Sequence, residues 1–478
     1  MENIKYYSDL ITDKQIRKWI DNKDYVYLNG STGTGKSTFI FDKLFSEYIV
    51  NDYVPDNDYK IFVLSNRKKL FEQHINEIKK RQLAKKYFNI NGYASRFWDC
   101  VEIETYQCFY EKYVKDAKKA AELKEDWKLF EDLIIVCDEF HYFVNDEWNK
   151  TTEQTLKFIL DLEMPTFFLS ATGNSTYDYI NRISNKKIDN VLTIKQDFSN
   201  ITLHSYREPN SYKSNQHSGT DKAYEMIKYI LDNTVDKVMY YLNDVNKLCN
   251  LKKKLYEYGD DIQVCYSPKD NISYKYQSGK DTAIIDKKMN CRCILTTKIL
   301  DNGIDIVDDD LKHVIIDILE SETIIQAIGR KRTKTPLSVY IREADKRQLG
   351  AWIDKKQYEL DNTTSELRKY KTRILIDDYN SFLEIGVTRT IYERLRDTKI
   401  NYCENEYKTS LINYLEHSYI NHNAIDKEYF RDIASRYGIE GKTPNKINKS
   451  LEDKNIRYCI EIKRHGKKRI TDWYARAV

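Results

Sequence analysis

Residues 30–38 read Gly-Ser-Thr-Gly-Thr-Gly-Lys-Ser-Thr and fit the spacing G-x-x-x-x-G-K-[ST] with one glycine to spare. Glycines so spaced let successive backbone N–H groups turn inward around a phosphate, and a helix starting just after them adds the positive end of its dipole. Gly30, Ser31, Thr32, Gly33, Thr34 and Gly35, with Thr38 behind them, would line the phosphates of a nucleoside triphosphate such as ATP. Lys36 would reach the β- and γ-phosphates, and the Ser37 hydroxyl would ligate Mg²⁺. About a hundred residues on, Leu133-Ile-Ile-Val-Cys-Asp138-Glu139-Phe140-His141 is an apolar run ending in adjacent carboxylates. At the end of a strand beside a phosphate loop, Asp138 can hold the Mg²⁺ and Glu139 can polarise the attacking water. His141 is placed to link that site to a facing lobe.

These groups need elements to hold them. Tyr25-Val26-Tyr27-Leu28 reads as a strand entering the loop, and Phe39 to Tyr48 as the helix leaving it. Short apolar runs then alternate with charged amphipathic segments, the pattern of a parallel α/β sheet. Candidate strands are 60–65, 101–105, 133–136 and 166–170. A polar stretch from Glu208 to Asp221 reads as a linker. A second series follows at 238–242, 262–266, 293–297, 314–317 and 337–341. Beyond about residue 345 the chain reads as mostly helical, and no internal repeat is evident.

A chain of 478 residues has room for two or three domains with their own cores. No stretch is long or apolar enough to span a bilayer, and Met-Glu-Asn-Ile-Lys lacks the apolar centre of a signal peptide. The nine cysteines are scattered, with Cys291-x-Cys293 the one close pair, so reduced thiols in a cytoplasm are expected. The formal charge is +4, yet residues 441–478 carry +7 and the other 440 about −3. Such a basic end is an electrostatic footprint for nucleic acid, or else a solvated face.

In this order the residues resemble the superfamily 2 DExH-box helicases and translocases, over about residues 10–345. Gly30–Thr38 is similar to motif I, Asp138–His141 to motif II, and Ser170-Ala171-Thr172 to motif III. Leu64–Leu70 with Gln73 resembles motif Ia, and Glu104-Thr105-Tyr106-Gln107 motif Ib. Val238–Asn243 resembles motif IV. Leu295–Lys298, with Asp301–Asp305, resembles motif V, and Gln326–Arg332 motif VI. The resemblance implies ATP and Mg²⁺ as cofactors, and nucleotide contacts from Gly303 and Asp305. It implies phosphodiester contacts from Arg67, Thr105 and Thr297. Gln326, Arg330 and Arg332 would act across the cleft, the arginines on charge developing at the γ-phosphate. Many relatives place the second arginine one residue later, where this chain has Thr333. Arg332 is then either a shifted finger, as in the Q-x-x-G-R-x-R form of some viral origin-binding helicases, or a residue that positions Arg330. Gln15 stands where many relatives carry an adenine-reading glutamine; a solvated helix residue fits equally.

The tail has its own pattern. A helix over 428–437 stops at Gly438, and Thr443-Pro444 starts a second helix running to about Lys454. Two strand-like runs, 457–463 and 469–474, meet around His465-Gly466. Five of the seven residues from Lys463 to Arg469 are basic: Lys463, Arg464, Lys467, Lys468 and Arg469. Helix–helix–hairpin with a basic tip resembles a winged helix, specifically those ending phage primase–helicases. The tip either contacts nucleic acid, is solvated, or packs on the motor.

The fold class expected is α/β: two RecA-like parallel-sheet lobes at 1–207 and 208–345, a helical connector at 346–420, and a winged-helix-like basic domain at 421–478. The function expected is an ATP-dependent helicase or translocase acting on nucleic acid, with DNA favoured over RNA. Its setting would be replication of a phage or mobile element, as a monomer in the host cytoplasm with replication proteins as partners. The competing reading is a nucleic-acid-binding protein switched by ATP that separates no strands.

Overall fold

The computed structural model of the chain describes residues 6–30, 34–46, 59–66, 68–81, 101–123, 132–145, 150–208, 220–267, 278–279, 282–300, 305–403, 405–436, 439, 441, 443–454, 456–465 and 470–478. The first sheet contains β1 (Tyr25–Gly30), β2 (Tyr59–Ser65), β3 (Val101–Thr105), β4 (Asp132–Asp138), β5 (Thr166–Ser170) and β6 (Asn190–Ile194). All pairs are parallel and the order is β3-β2-β4-β5-β1-β6. Strands covered on both faces are apolar throughout rather than alternating. Accordingly Tyr25, Val26, Tyr27 and Leu28 are all buried, as is every residue of β5. Val26 and Leu28 face one core and Tyr25 and Tyr27 the other. Tyr25 satisfies its hydroxyl by donating to Leu160 O at 2.9 Å.

Helices α1 (Asp13–Asp21), α2 (Lys36–Thr38), α3 (Lys68–Lys80), α4 (Tyr142–Asn145) and α5 (Asn174–Ile183) belong to this lobe. The helix expected from Phe39 is present, but α2 opens into wider π-type turns over Phe39–Leu44. Such turns are frequent beside functional sites.

The second sheet contains β7 (Ile201–Tyr206), β8 (Lys237–Leu242), β9 (Ile262–Cys265), β12 (Cys293–Thr296), β13 (Leu311–Asp317), β14 (Leu337–Arg342) and β15 (Asn401–Tyr402). A two-residue hairpin, β10 (Ile284–Ile285) and β11 (Lys288–Met289), lies apart from it. The order is β15-β7-β14-β13-β8-β12-β9, all parallel. Helices α6 (Asp221–Asn233), α7 (Val245–Lys254) and α8 (Ser321–Ile328) pack about it. Two parallel sheets of this kind are two RecA-like lobes, as the family resemblance implies.

The boundaries differ from those expected. The division at 207 would leave β7 with the first lobe, but β7 pairs with β14 over its full length. The sheets therefore part between Ile194 and Ile201, before the polar linker. The segment after 345 is not a separate connector. It forms α9 (Lys346–Asn362), α10 (Glu366–Ile385) and α11 (Val387–Leu395), then β15, which extends the second sheet by pairing with β7. The expected packing of this segment on the second lobe is half of what is seen. Leu367 of α10 is buried in the first lobe's core and Phe382 in the second's.

The C-terminal unit begins earlier than residue 421. Leu411 and Leu415 of α12 (Asn405–Ile420) share a core with Phe430 of α13 (Lys427–Arg436), Leu451 of α14 (Pro444–Asp453) and Trp473. The strands β16 (Tyr458–His465) and β17 (Ile470–Ala477) make an antiparallel hairpin.

Candidate active site

The phosphate loop leaves β1 at Gly30 and enters α2. Gly35 has φ +83°, a left-handed conformation suited to glycine, and a Cβ on Gly30 would stand 2.4 Å from the Tyr7 hydroxyl. Tyr7 also donates its backbone N–H to Thr34 O at 3.0 Å. Lys36 is buried and its Nζ donates to Gly30 O at 2.8 Å, so the ammonium turns back to the end of β1. Ser37 is exposed and Thr38 half-buried. Ser31, Thr32 and Gly33 lie outside the described residues.

β4 delivers the two carboxylates beside β5, the strand between it and the loop strand. Asp138 Oδ1 accepts from the Glu139 backbone N–H at 3.1 Å, and His74 Nε2 from α3 lies 3.1 Å from Oδ2. Glu139 has φ +53°, left-handed backbone that costs a non-glycine residue roughly 1–3 kcal/mol. Its Oε2 lies 3.2 Å from His141 Nδ1. That nitrogen is also 2.8 Å from Ser170 Oγ, at the end of β5. From the opposite lobe, Gln326 Nε2 on α8 donates to Thr172 Oγ1 at 2.9 Å and lies 3.1 Å from His141 Nε2. An amide N–H₂ can only donate. The imidazole Nε2 therefore accepts, and the ring proton sits on Nδ1, directed at Glu139 and Ser170.

Burial would push the Glu139 carboxyl up. Instead the Lys36 ammonium first, then His141 and Arg330, hold it well below the usual carboxylate range. A cation from each lobe thus faces one half-buried carboxylate.

The two arginines are fixed through the backbone. Ile306 N–H donates to Arg330 O, and Arg332 N–H to Ile306 O, both at 2.9 Å. These bonds flank the bridge between Ile306 and Lys331, and both guanidinium groups act on Glu139, so Arg330 and Arg332 are presented together. Lys331 points away, its buried Nζ capping Leu311 O at 2.6 Å. Arg332 Nε donates to Asp305 Oδ1 at 2.8 Å, whereas the buried Arg330 Nε has no hydrogen-bond partner among the described residues. Burial draws the Arg332 guanidinium below its ordinary value, with Asp305 opposing.

Lys36, Asp138, Glu139, Gln326 and Arg330 are thus gathered at the cleft, with Arg332 and Asp305 paired beside them. Other candidates stand apart. The Thr105 hydroxyl caps the following helix by accepting from Cys108 N at 3.2 Å. Thr297 N–H donates to Cys265 O at 3.2 Å across the β9–β12 pair. Lys463 Nζ lies 4.9 Å from the Tyr474 ring centroid, and Arg464 is exposed. Gln15 closes a capping box with Thr12, its Oε1 accepting from Thr12 N at 3.0 Å, which is the structural alternative to reading adenine. Arg67, Gly303, Lys467, Lys468 and Arg469 lie outside the described residues. Two residues at the site had no sequence signal: Tyr7, which shapes the loop, and His74, an ordinary histidine on a charged helix.

Comparison with protein-family models matches residues 2–172 to the family described as type III restriction enzyme, res subunit. Comparison with curated proteins finds no match. Among solved structures, the chain is similar to S. cerevisiae Dbp5 bound to RNA and ADP BeF3, at 16% identity and TM-score 0.45, covering 78% of this chain and 100% of that one. It is similar to the DEAD-box helicase Mss116 bound to ssRNA and UDP-BeF at 17% identity and TM-score 0.47, covering 80% and 82%. It is also similar to Mycobacterium smegmatis helicase Lhr bound to ssDNA and AMP-PNP at 12% identity and TM-score 0.48, covering 97% of this chain and 58% of that one.

Proposed function

We propose that this chain is an ATP-driven nucleic-acid helicase or translocase of the DExH type, hydrolysing ATP between its lobes to move along or unwind DNA. The observation that carries the reading is the meeting of Lys36, Glu139 and Arg330 in one buried cleft, tied across the lobes by Gln326, His141 and Thr172. Lys36 holds the β- and γ-phosphates. Glu139 is kept ionised and turned by its left-handed backbone to orient the attacking water, with His141 Nδ1–H fixing the carboxylate. Arg330 is the finger that meets charge developing at the γ-phosphate, because its Nε is uncommitted among the described residues while Arg332 is bound to Asp305. An exposed hydroxyl at Ser37 and a carboxylate at Asp138 fit Mg²⁺, which takes few protein oxygens and completes its shell with phosphate and water. Bound there, Mg²⁺ would neutralise charge on the phosphates.

Gln326 touches both His141 and Thr172, so a shift of the second lobe is felt at the nucleotide site and at the segment after β5. That is the linkage a motor needs between hydrolysis and strand contacts. Arg67, Thr105, Thr297 and the basic hairpin residues Lys463, Arg464, Lys467, Lys468 and Arg469 are the proposed nucleic-acid contacts. The helix–helix–hairpin tail and its charge support a winged-helix role in phage or mobile-element replication. The test is the ATPase rate without polymer and with single-stranded DNA, duplex DNA or RNA, together with an unwinding assay. Stimulated turnover supports the motor, and binding without turnover supports the ATP-switched alternative.

A further inference from the structure

α10 runs through both lobes' cores. Near its start, Leu367 is buried in the first lobe with Tyr370 and Ile374 against the same cluster. Towards its end, Phe382 is buried in the second lobe, with Tyr379 and Leu383 beside it. Ser365, its N-cap, donates to Glu153 of the first lobe at 2.8 Å. Between these anchors the helix turns a buried cation, Lys371, towards the gap between lobes. Lys371 Nζ donates to Asn145 Oδ1 at 2.7 Å, at the end of the α4 helix that follows Asp138–His141. It also lies 3.5 Å from Glu320 Oε1 and 3.6 Å from Glu322 Oε2, at the start of α8.

Three further bonds converge on the same place. Asp378 of α10 accepts from the Ser321 backbone N–H at 3.3 Å, capping α8. Tyr370 donates to Ser175 O at 3.0 Å, and Ser175 Oγ donates to Glu322 Oε1 at 2.5 Å. Glu320 also pairs with Lys298. Burial would raise the Glu320 carboxyl, but Lys298 and then Lys371 pull it down to about 2, so the acid is charged and needs its cations. α8 is the helix whose far end carries Gln326 and runs directly into Arg330.

We propose that Lys371 is a positioning residue, an inter-lobe latch through which α10 seats α8 so that Arg330 reaches the triphosphate only while the helix grips both lobes. The idea rests on the ATP-hydrolysing reading above. It makes the segment after the two lobes a working part of the motor rather than a tether for the tail.

The test uses the full chain with Lys371→Met and Lys371→Arg. Fluorescent ATP affinity should be unchanged in both, because the phosphate loop belongs to the first lobe. Turnover should fall about 10-fold or more in the methionine variant, the scale of a coupling between sites, and be largely kept by arginine. A dye pair at Leu123→Cys and Tyr256→Cys, both exposed in wild type, in a background with Cys100, Cys108, Cys403 and Cys459 replaced by serine reads lobe closure by energy transfer. A non-hydrolysed ATP analogue should close the wild type and fail to close Lys371→Met. Adding Glu322→Gln removes a carboxylate left without its lysine. It should restore thermal stability while turnover stays low. Closure of Lys371→Met like wild type, no nucleotide response in wild type, or turnover recovering with stability in the double variant would each overturn the latch. Closure without hydrolysis in wild type would instead sink the motor reading and leave the closure result to judge the latch.

Discussion

Replacing each motif VI arginine by alanine separates a catalytic from a positioning role, because their surroundings differ. Arg330 has an uncommitted Nε and faces Glu139 across the cleft. Among the described residues that nitrogen has no hydrogen-bonded partner to leave behind, and Glu139 keeps Lys36 and His141, so melting should change little. Its loss falls on the transition state, where one missing donor to developing charge costs roughly 10²–10³-fold in turnover. Arg332 holds Asp305 at 2.8 Å, with side chains only 16% and 22% exposed. Arg332→Ala leaves that carboxylate without its partner, a cost of about 2 kcal/mol. For a lobe of this size that is roughly 4–8 °C in Tm. The assay is steady-state ATPase with nucleic acid, fluorescent ATP affinity, and a melting curve for each variant. Arg330→Ala should lose turnover with affinity and Tm kept; Arg332→Ala should lose Tm first. Full turnover in Arg330→Ala, or a catalytic loss in Arg332→Ala at unchanged Tm, refutes the assignment. Full turnover in both single variants and the double variant refutes the cleft itself.

Lys36→Ala should abolish ATP binding, and Glu139→Gln should bind ATP but turn over roughly 10²–10⁴-fold more slowly; equilibrium binding and single-turnover hydrolysis decide both. Glu320 has a folded pKa lowered from 4.5 to about 2, so its contribution to stability is present above pH 4.5 and is lost as pH falls towards 2. Urea midpoints of wild type and Glu320→Gln should differ above pH 4.5 and converge in acid; parallel curves would contradict the pairing. Ending the chain before α12, at residue 403, should keep ATP binding and weaken nucleic-acid binding. It should also lower the slope of log K against log[salt] by roughly 0.7–0.9 for each phosphate that the tail neutralises. Equal slopes for full-length and shortened chains would make the basic hairpin a solvated face.

The parts of this protein that local patterns specify were readable. Val101–Thr105 and Thr166–Ser170 occur as strands at the bounds their sequences suggested: the first is an edge strand whose Val101 and Ile103 alternate with Glu102 and Glu104, and the second is a short run buried on both faces. The phosphate loop and the Asp138-Glu139 pair sit at strand ends for the same reason. What escaped was decided at long range. Asn401 and Tyr402 form an edge strand of two residues, too short to carry a period. Tyr206 ends a strand that lies before the polar linker yet pairs beyond it. Lys371, on a charge-rich helix, looks solvated until Glu320 and Glu322 arrive from the other lobe. His74 is likewise ordinary until β4 places Asp138 beside it.

The late arrival of β15 and α10 has a consequence for synthesis on the ribosome. The first sheet has all its strands once Ile194 is made, but the second waits for Tyr402. Those roughly 200 residues take about 10–40 s to translate at 5–20 residues per second. For most of that time the first lobe displays the apolar bed destined for Leu367, Tyr370 and Ile374 with nothing to cover it. The nascent chain is then a half-motor with a sticky flank, and chaperone demand during expression should peak before residue 385 emerges.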